Sequence, residues 1–348
     1  MDLSIIIVNW HSKEYLRACL ASIRRHTRTL TYEIIVIDSA SFDGCETLLR
    51  DEHPDVRFIQ SPTNLGFARA NNRAAADARG TCVLFLNPDT EVVGPAIEIL
   101  YEALTRRPEA GIVGGTLLNG DRTLQVSCVQ SIPTLLNQLL DSEFLRTRCP
   151  RSRLWGAAPL YQVGRDAREV EAISGACLMM RRKTFEELCG FSEEYFMYAE
   201  DIDLAHRARE AGYRNYYVPD AIVIHYGGGS SGHASSAFSA VMLREAICRF
   251  MAKTHGPAYA LAYRIGMGAT AIGRLCVLGA LRVAGRRDLA IRVSRRKWQA
   301  VLQWSLNRAE AVRTAIDTVT TRGRPPGALA HAAGSAVTLP RPTKAVHP

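Results

Sequence analysis

The sequence predicts an α/β fold built on a mostly parallel central sheet. Two observations carry that prediction. Over residues 1–115, short apolar runs rich in β-branched residues alternate with segments of helical period, and such alternation implies crossover connections between parallel strands. The runs are apolar throughout rather than at every second residue, as in strands covered on both faces. Composition agrees. Of 348 residues, 47% are hydrophobic and 22% charged, which excludes a disordered, collagenous or coiled-coil chain and leaves room for more than one domain.

Leu3–Val8 is the first buried strand. Ser12 is placed to cap a helix whose apolar face is Leu16, Cys19, Leu20 and Ile23, at i, i+3, i+4 and i+7. Glu33–Asp38 is a second strand, Asp43–Arg50 a short helix, Val56–Ile59 a third strand and Ala68–Ala78 a helix. Cys82–Asn87 forms the fourth strand, Pro95–Arg106 a helix, and Gly111–Gly115 opens a further strand. Residues 120–170 lack clear periodicity. Ile173–Met180 reads as a strand. Thr184-x-x-Glu187 reads as a capping box, with Gly190 as the helix stop. Asp201–Ala211 is helical, Tyr216–Val218 and Ala221–His225 are short strands, and Gly227–Ser236 is a Gly/Ser/His loop. The expected division is a 1–240 α/β domain, a 241–321 basic amphipathic helical region and a 322–348 disordered tail.

Nine cysteines, an odd number with no C-x-x-C spacing, indicate neither a disulfide framework nor a zinc knuckle. Cys82, Cys177 and Cys276 sit in apolar runs and read as small core residues. No secretory signal is expected from the first residues. A reducing cytoplasmic setting fits these features.

Ligands of an open parallel sheet bind beyond the carboxyl ends of its strands. Asp38, Asn87 and Asp89 fall on that rim. No G-x-G-x-x-G follows the first strand and no G-x-x-x-x-G-K-[ST] occurs. The usual phosphate cradles of dinucleotide oxidoreductases and P-loop phosphotransferases are therefore missing. A nucleotidyltransferase would want a Gly-rich, Arg-containing loop after the first strand, and none is present. A site that must hold a diphosphate then needs a divalent cation on a carboxylate. Asp89 is the candidate, its alternative being an Asp-Thr turn. Glu200-Asp201-Ile202-Asp203 opens a helix. Its carboxylates either cap that terminus or supply a general base. Residues two apart point to different sides, so one of Asp201 and Asp203 faces a cleft, and Asp201 is the choice. His225 ends a strand and reads either as a satisfied edge histidine or as a metal ligand.

Six blocks, IIIVNW (5–10), VIDSASFDG (36–44), NLGFARANN (64–72), LNPDT (86–90), 173–213 and VIHYGGGSS (223–231), together resemble family-two glycosyltransferases of the GT-A fold, in particular bacterial rhamnosyltransferase-like enzymes of cell-surface polysaccharide synthesis. The resemblance spans residues 1–240. It implies that Asp38 contacts the nucleotide, that Arg69 lies near it, and that Asn87-Pro88-Asp89 stands for the family's D-x-D element with Asp89 on Mg²⁺ or Mn²⁺. It further implies that Asp201 is the base and that His225 completes the metal site. Two departures stand out: Ser39, where the family usually has Asn or a similar polar residue, and Asn87, which replaces the first acid. The implied function is an inverting transfer of a sugar, rhamnose among the candidates, from a nucleoside-diphosphate sugar to a hydroxyl of a glycan or lipid-linked acceptor. The alternative is a catalytically silent sugar-nucleotide-binding or scaffold protein of the same fold.

Residues 241–348 carry 18 Lys+Arg against 4 Asp+Glu, whereas residues 1–240 carry 25 against 30. A basic third on a slightly acidic body predicts an anionic partner. Within 258–287, Arg264, Arg274, Arg282 and Arg286 gather on one side of a helical wheel, opposite Ile265, Met267, Ile272 and Leu278. The longest charge-free stretch, Ile265–Gly273, is too short to span a bilayer of the usual ~20 residues. The expectation is a helix lying on an anionic membrane surface at the inner face of the plasma membrane, with packing on the catalytic domain or in a homodimer as the alternatives. No nucleic-acid partner is expected, since no binding motif is present.

Overall fold

The computed structural model describes residues 1–227, 236–286 and 289–307. Most of the Gly227–Ser236 loop and the whole 322–348 tail lie outside the described residues. The chain opens with β1 (Leu3–Asn9), α1 (Lys13–His26), β2 (Tyr32–Ser39), α2 (Cys45–Glu52), β3 (Arg57–Ser61), α3 (Gly66–Ala75) and β4 (Cys82–Leu86). It continues with β5 (Thr90–Val93), α4 (Ala96–Thr105), β6 (Ala110–Leu118), β7 (Val129–Gln130), α5 (Leu135–Leu139), α6 (Glu143–Arg148), β8 (Arg168–Val170), β9 (Ala172–Ile173) and β10 (Cys177–Arg181). Then come α7 (Arg182–Glu187), α8 (Glu200–Glu210), β11 (Arg214–His225), α9 (Ser236–His255), α10 (Pro257–Val283) and α11 (Leu289–Ser305).

One sheet runs β3-β2-β1-β4-β10-β6-β11-β5, with β8 also on β11. The pairings give β3, β2, β1, β4, β6 and β11 one direction and β10, β5 and β8 the other. The sheet is thus mostly parallel and flanked by helices. Leu3, Ile5, Ile6 and Ile7 of β1 are fully buried, as expected of a central strand covered on both faces.

The structure departs from the sequence expectations where side chains override local pattern. Ser12 stands at the N-cap of α1, but its hydroxyl donates to the Trp10 carbonyl, and the Asp43 carboxylate accepts the Lys13 N–H instead. The run Ile173–Met180 is split into β9 and β10, because the Gly175 N–H turns away to a carboxylate of α8. Thr184 is buried within α7, whose N-cap is Arg181, while Gly190 does end that turn at φ +68°. The two expected short strands are one, β11, irregular between Val218 and Ile222. The strand β5 had no sequence signal of its own. Cys82 and Cys177 are buried, but Cys276 is exposed on α10. The expected border at residue 240 falls inside α9.

The three C-terminal helices have their own apolar core, centred on Val241, Met251, Tyr263, Met267, Val301 and Trp304. Within it Met267 is buried rather than on an open face, while Arg264 and Arg274 lie over the Trp304 and Trp298 rings of α11.

Candidate active site

A cavity of about 300 Å³ opens at the carboxyl ends of β1 and β4. Asn87 and Asp89 enter it from the end of β4, His225 from the end of β11 and Asp201 from the first turn of α8. The β5–β11 register explains the meeting. His225 pairs with Thr90, so Asp89, one residue earlier, lies beside the imidazole.

Asp89 Oδ1 is 3.4 Å from His225 Nε2, and Asp89 is buried. Gln125 donates its amide to Asn119 Oδ1, which leaves Gln125 Oε1 to accept from His225 Nδ1 at 2.7 Å. Gln125 thereby orients the imidazole, with Nε2 directed at Asp89. Asn87 Nδ2 lies 3.3 Å from the same nitrogen. A carboxylate oxygen and an imidazole nitrogen at this spacing suit a hard divalent cation, whose neighbouring octahedral ligands at ~2.1 Å stand about 3 Å apart.

Asp201 is oriented from three sides. Its Oδ2 accepts from Gln130 Nε2 at 2.9 Å and from Gly175 N–H at 2.8 Å, and its Oδ1 from Ile202 N–H at 2.8 Å. Burial pushes its carboxyl above the usual aspartate range, and these donors pull against that. Asp203 points elsewhere, to Arg207 Nε at 2.7 Å and Lys253 Nζ at 2.8 Å. Glu200 also lines the cavity, and its Oε2 is buried without a hydrogen-bond partner among the described residues. Burial, with Asp201 adding to it, raises its carboxyl well above the usual range. Tyr198 and Ala199, just before α8, both hold positive φ, +72° and +63°. Trp10, Phe67, Phe196 and Phe238 add aromatic walls.

Two sequence-predicted residues stand outside the cavity. Asp38 is fully buried and satisfied by its own chain, accepting from Asn9 Nδ2, Gln60 Nε2 and the N–H groups of Ser41 and Phe42, while its neighbour Ser39 reaches the cavity wall. Arg69 is exposed, 3.7 Å from Glu193. Asp38, Asp43 and Cys45 bring ligand atoms within 4.8 Å of one another. There Asp43 already accepts from Asn9, Lys13 and Cys45, and burial, then Asp38 and Asp43, push the Cys45 thiol up and keep it protonated. Gln125, Gln130 and Gly175 escaped the sequence reading, while Glu200 entered it only as one of the carboxylates opening the helix. The two glutamines lie in the stretch without periodicity, where only the fold aligns them.

The family model for glycosyl transferase family 2 matches residues 4–189. The chain is 29% identical over 302 residues to the N-acetylglucosaminyl-diphospho-decaprenol L-rhamnosyltransferase of Mycobacterium tuberculosis, covering 83% of this chain and 97% of that one. It is 26% identical over 232 residues to rhamnosyltransferase WbbL of Escherichia coli, covering 64% and 82%. Among solved structures, the mannosyltransferase PcManGT from Pyrobaculum calidifontis, in complex with GDP-Man and Mn²⁺, superposes with a TM-score of 0.54 at 18% identity over 88% of this chain and 86% of that chain, a likeness of fold.

Proposed function

The chain belongs to glycosyl transferase family 2, and from that premise we propose that it moves a sugar, with inversion, from a nucleoside-diphosphate sugar to a hydroxyl of a glycan or lipid-linked acceptor in cell-surface polysaccharide synthesis. Rhamnose is the proposed sugar, supported by the likeness to two rhamnosyltransferases. The observation that carries the reading is the convergence of Asp89, His225 and Asp201 on one cavity at the sheet's carboxyl rim.

Asp89 and His225 would hold a divalent cation, with Asn87 beside them. When bound, such an ion neutralises charge gathering on a departing diphosphate. Asp201 is the base. Its carboxylate takes the proton of the acceptor hydroxyl, that oxygen bonds to the anomeric carbon, and the carbon–diphosphate bond breaks on the opposite face. Gln130 and Gly175 hold the carboxylate in line, and its desolvated, half-buried position makes it a better proton acceptor than a surface aspartate. The aromatic walls exclude water that would compete for the donor.

Asp201→Asn is expected to lower kcat at least about a hundredfold while donor affinity stays unchanged. Asp89→Ala is expected to abolish the dependence of donor affinity on added Mn²⁺. Transfer by the Asp201 variant at the parent rate would remove the assigned base, and a metal titration unaffected by the Asp89 change would remove the assigned ligand.

A further inference from the structure

Among the described residues, the C-terminal helices leave one apolar face without a protein partner. Along α10, Leu261, Ile265, Ile272 and Val283 are exposed, Leu261 by 57% and Ile265 by 65%, and Ala258, Ala262, Ala269, Cys276 and Ala280 share their three-and-four spacing. That spacing is one stripe of a helix about 40 Å long. No charged residue interrupts it. The opposite side of α10 is occupied. Ala260, Tyr263, Met267 and Ala271 pack in the core with α9 and α11, and Arg264 donates to the Trp304 carbonyl at 2.8 Å. By length and composition α10 is apolar enough to cross a membrane, but a crossing would strip it from α11 and carry Arg264 and Arg274 into hydrocarbon.

We propose that this face of α10 lies in the plane of a membrane interface that carries anionic lipid. The charge pattern selects this occupant over a second copy of the chain. Neither α10 nor α11 contains an Asp or Glu, while Arg282, Arg292, Arg295 and Arg296 are exposed. Two such faces brought together would set cation against cation, whereas an anionic bilayer accepts the stripe among its acyl chains and the guanidinium heads among its phosphates.

The surface is also close to the cavity. Tyr259 and Gly266 of α10 meet α5, where the Tyr259 hydroxyl accepts the Leu135 N–H at 2.9 Å and the Leu139 side chain lies against Gly266. Leu135 is five residues from Gln130, the partner of Asp201, a reach of at most about 17 Å. An acceptor sugar carried on a membrane lipid would thus meet the base beside the docked helix. That functional consequence rests on the transferase reading, but the docking itself does not.

The test is flotation of the full chain with vesicles of phosphatidylglycerol or phosphatidylcholine at low and high salt, alongside metal-dependent donor hydrolysis without acceptor. Expected are binding to phosphatidylglycerol vesicles at least about tenfold stronger than to phosphatidylcholine or at high salt, release by alkaline carbonate, and at least about tenfold weaker binding by Ile265→Asp/Ile272→Asp and by Arg282→Glu/Arg292→Glu with donor hydrolysis retained. Absent binding to phosphatidylglycerol at low salt, parent-like binding by both variants, or retention after carbonate would each overturn the proposal. So would a sedimenting dimer that the Ile265→Asp/Ile272→Asp change dissolves in a chain that ignores vesicles. Vesicle binding by a chain that hydrolyses no donor would strike the transferase reading and support this one.

Discussion

Glu200 is buried at the cavity wall beside a second carboxylate, its Oε2 unpartnered among the described residues. Its carboxyl therefore holds a proton in the fold at pH values where the unfolded chain has lost it. The native state then binds more protons than the unfolded one, so this group's contribution to stability falls as pH rises above 4.5 through its raised value. Glu200→Gln, which carries no charge to bury, is expected to raise Tm by about 2–4 °C at about pH 8, the gain vanishing below pH 4.5. A thermal melt series that finds no gain at high pH would contradict the burial. At this scale the sequence was informative for Asp89, Asp201 and His225, because each ends or starts an element whose rim position follows from alternation. It was silent on Gln125 and Gln130, whose roles arise from contacts 100 and 71 residues away in sequence. It placed Asp38 at the rim correctly but could not reveal that a ring of local donors consumes its oxygens.

The segment Asn64–Phe67 joins the loop before α8 through the Phe67 N–H, which donates to the Phe196 carbonyl at 3.0 Å. Gly66 allows this approach. Its φ is +70°, and a Cβ there would press into the same carbonyl oxygen. Gly66→Ala is expected to cost about 1–3 kcal/mol in urea unfolding and to weaken donor binding. Gly94→Ala, at φ +57° with open space around it, should cost only about 1 kcal/mol and spare binding. Equal losses from the two would argue against the contact. The elements of the first half were legible because each buried strand is apolar throughout and each helix has a clean stripe. Strand β5 was not, since four residues after a Pro-Asp turn carry no periodicity and become a strand only by pairing with β11. The bend at Ser174–Ala176 was likewise hidden in an apolar run, because its cause is the distant Asp201 carboxylate.

Over the whole molecule, a large sheet core and a small helical core share one connecting element. Ala246 and Phe250 of α9 belong to the first, and Val241, Ile247 and Met251 to the second. Backbone amides of β1, β4 and β10 are expected to exchange slowest with deuterium, those of α10 and α11 fastest among the regular elements, with vesicles of phosphatidylglycerol slowing α10 selectively. Uniform protection across both cores, unchanged by vesicles, would refute this ordering. The charge counts alone raise the expectation of an anionic partner for the basic C-terminal third. Which side of α10 would face it was not readable, since Arg264 and Arg274 turn inward onto tryptophans.

The double allegiance of α9 decides where a chimaera between relatives can be spliced. A seam at residue 240 would cut through a helix and pull Phe250 out of the catalytic body. A seam at Gly256, whose φ of +89° and open surroundings mark a natural joint, would leave Phe238 on the cavity wall and α9 intact. Grafting α10 and α11 there would exchange the proposed membrane-facing helices and keep every residue that lines the cavity.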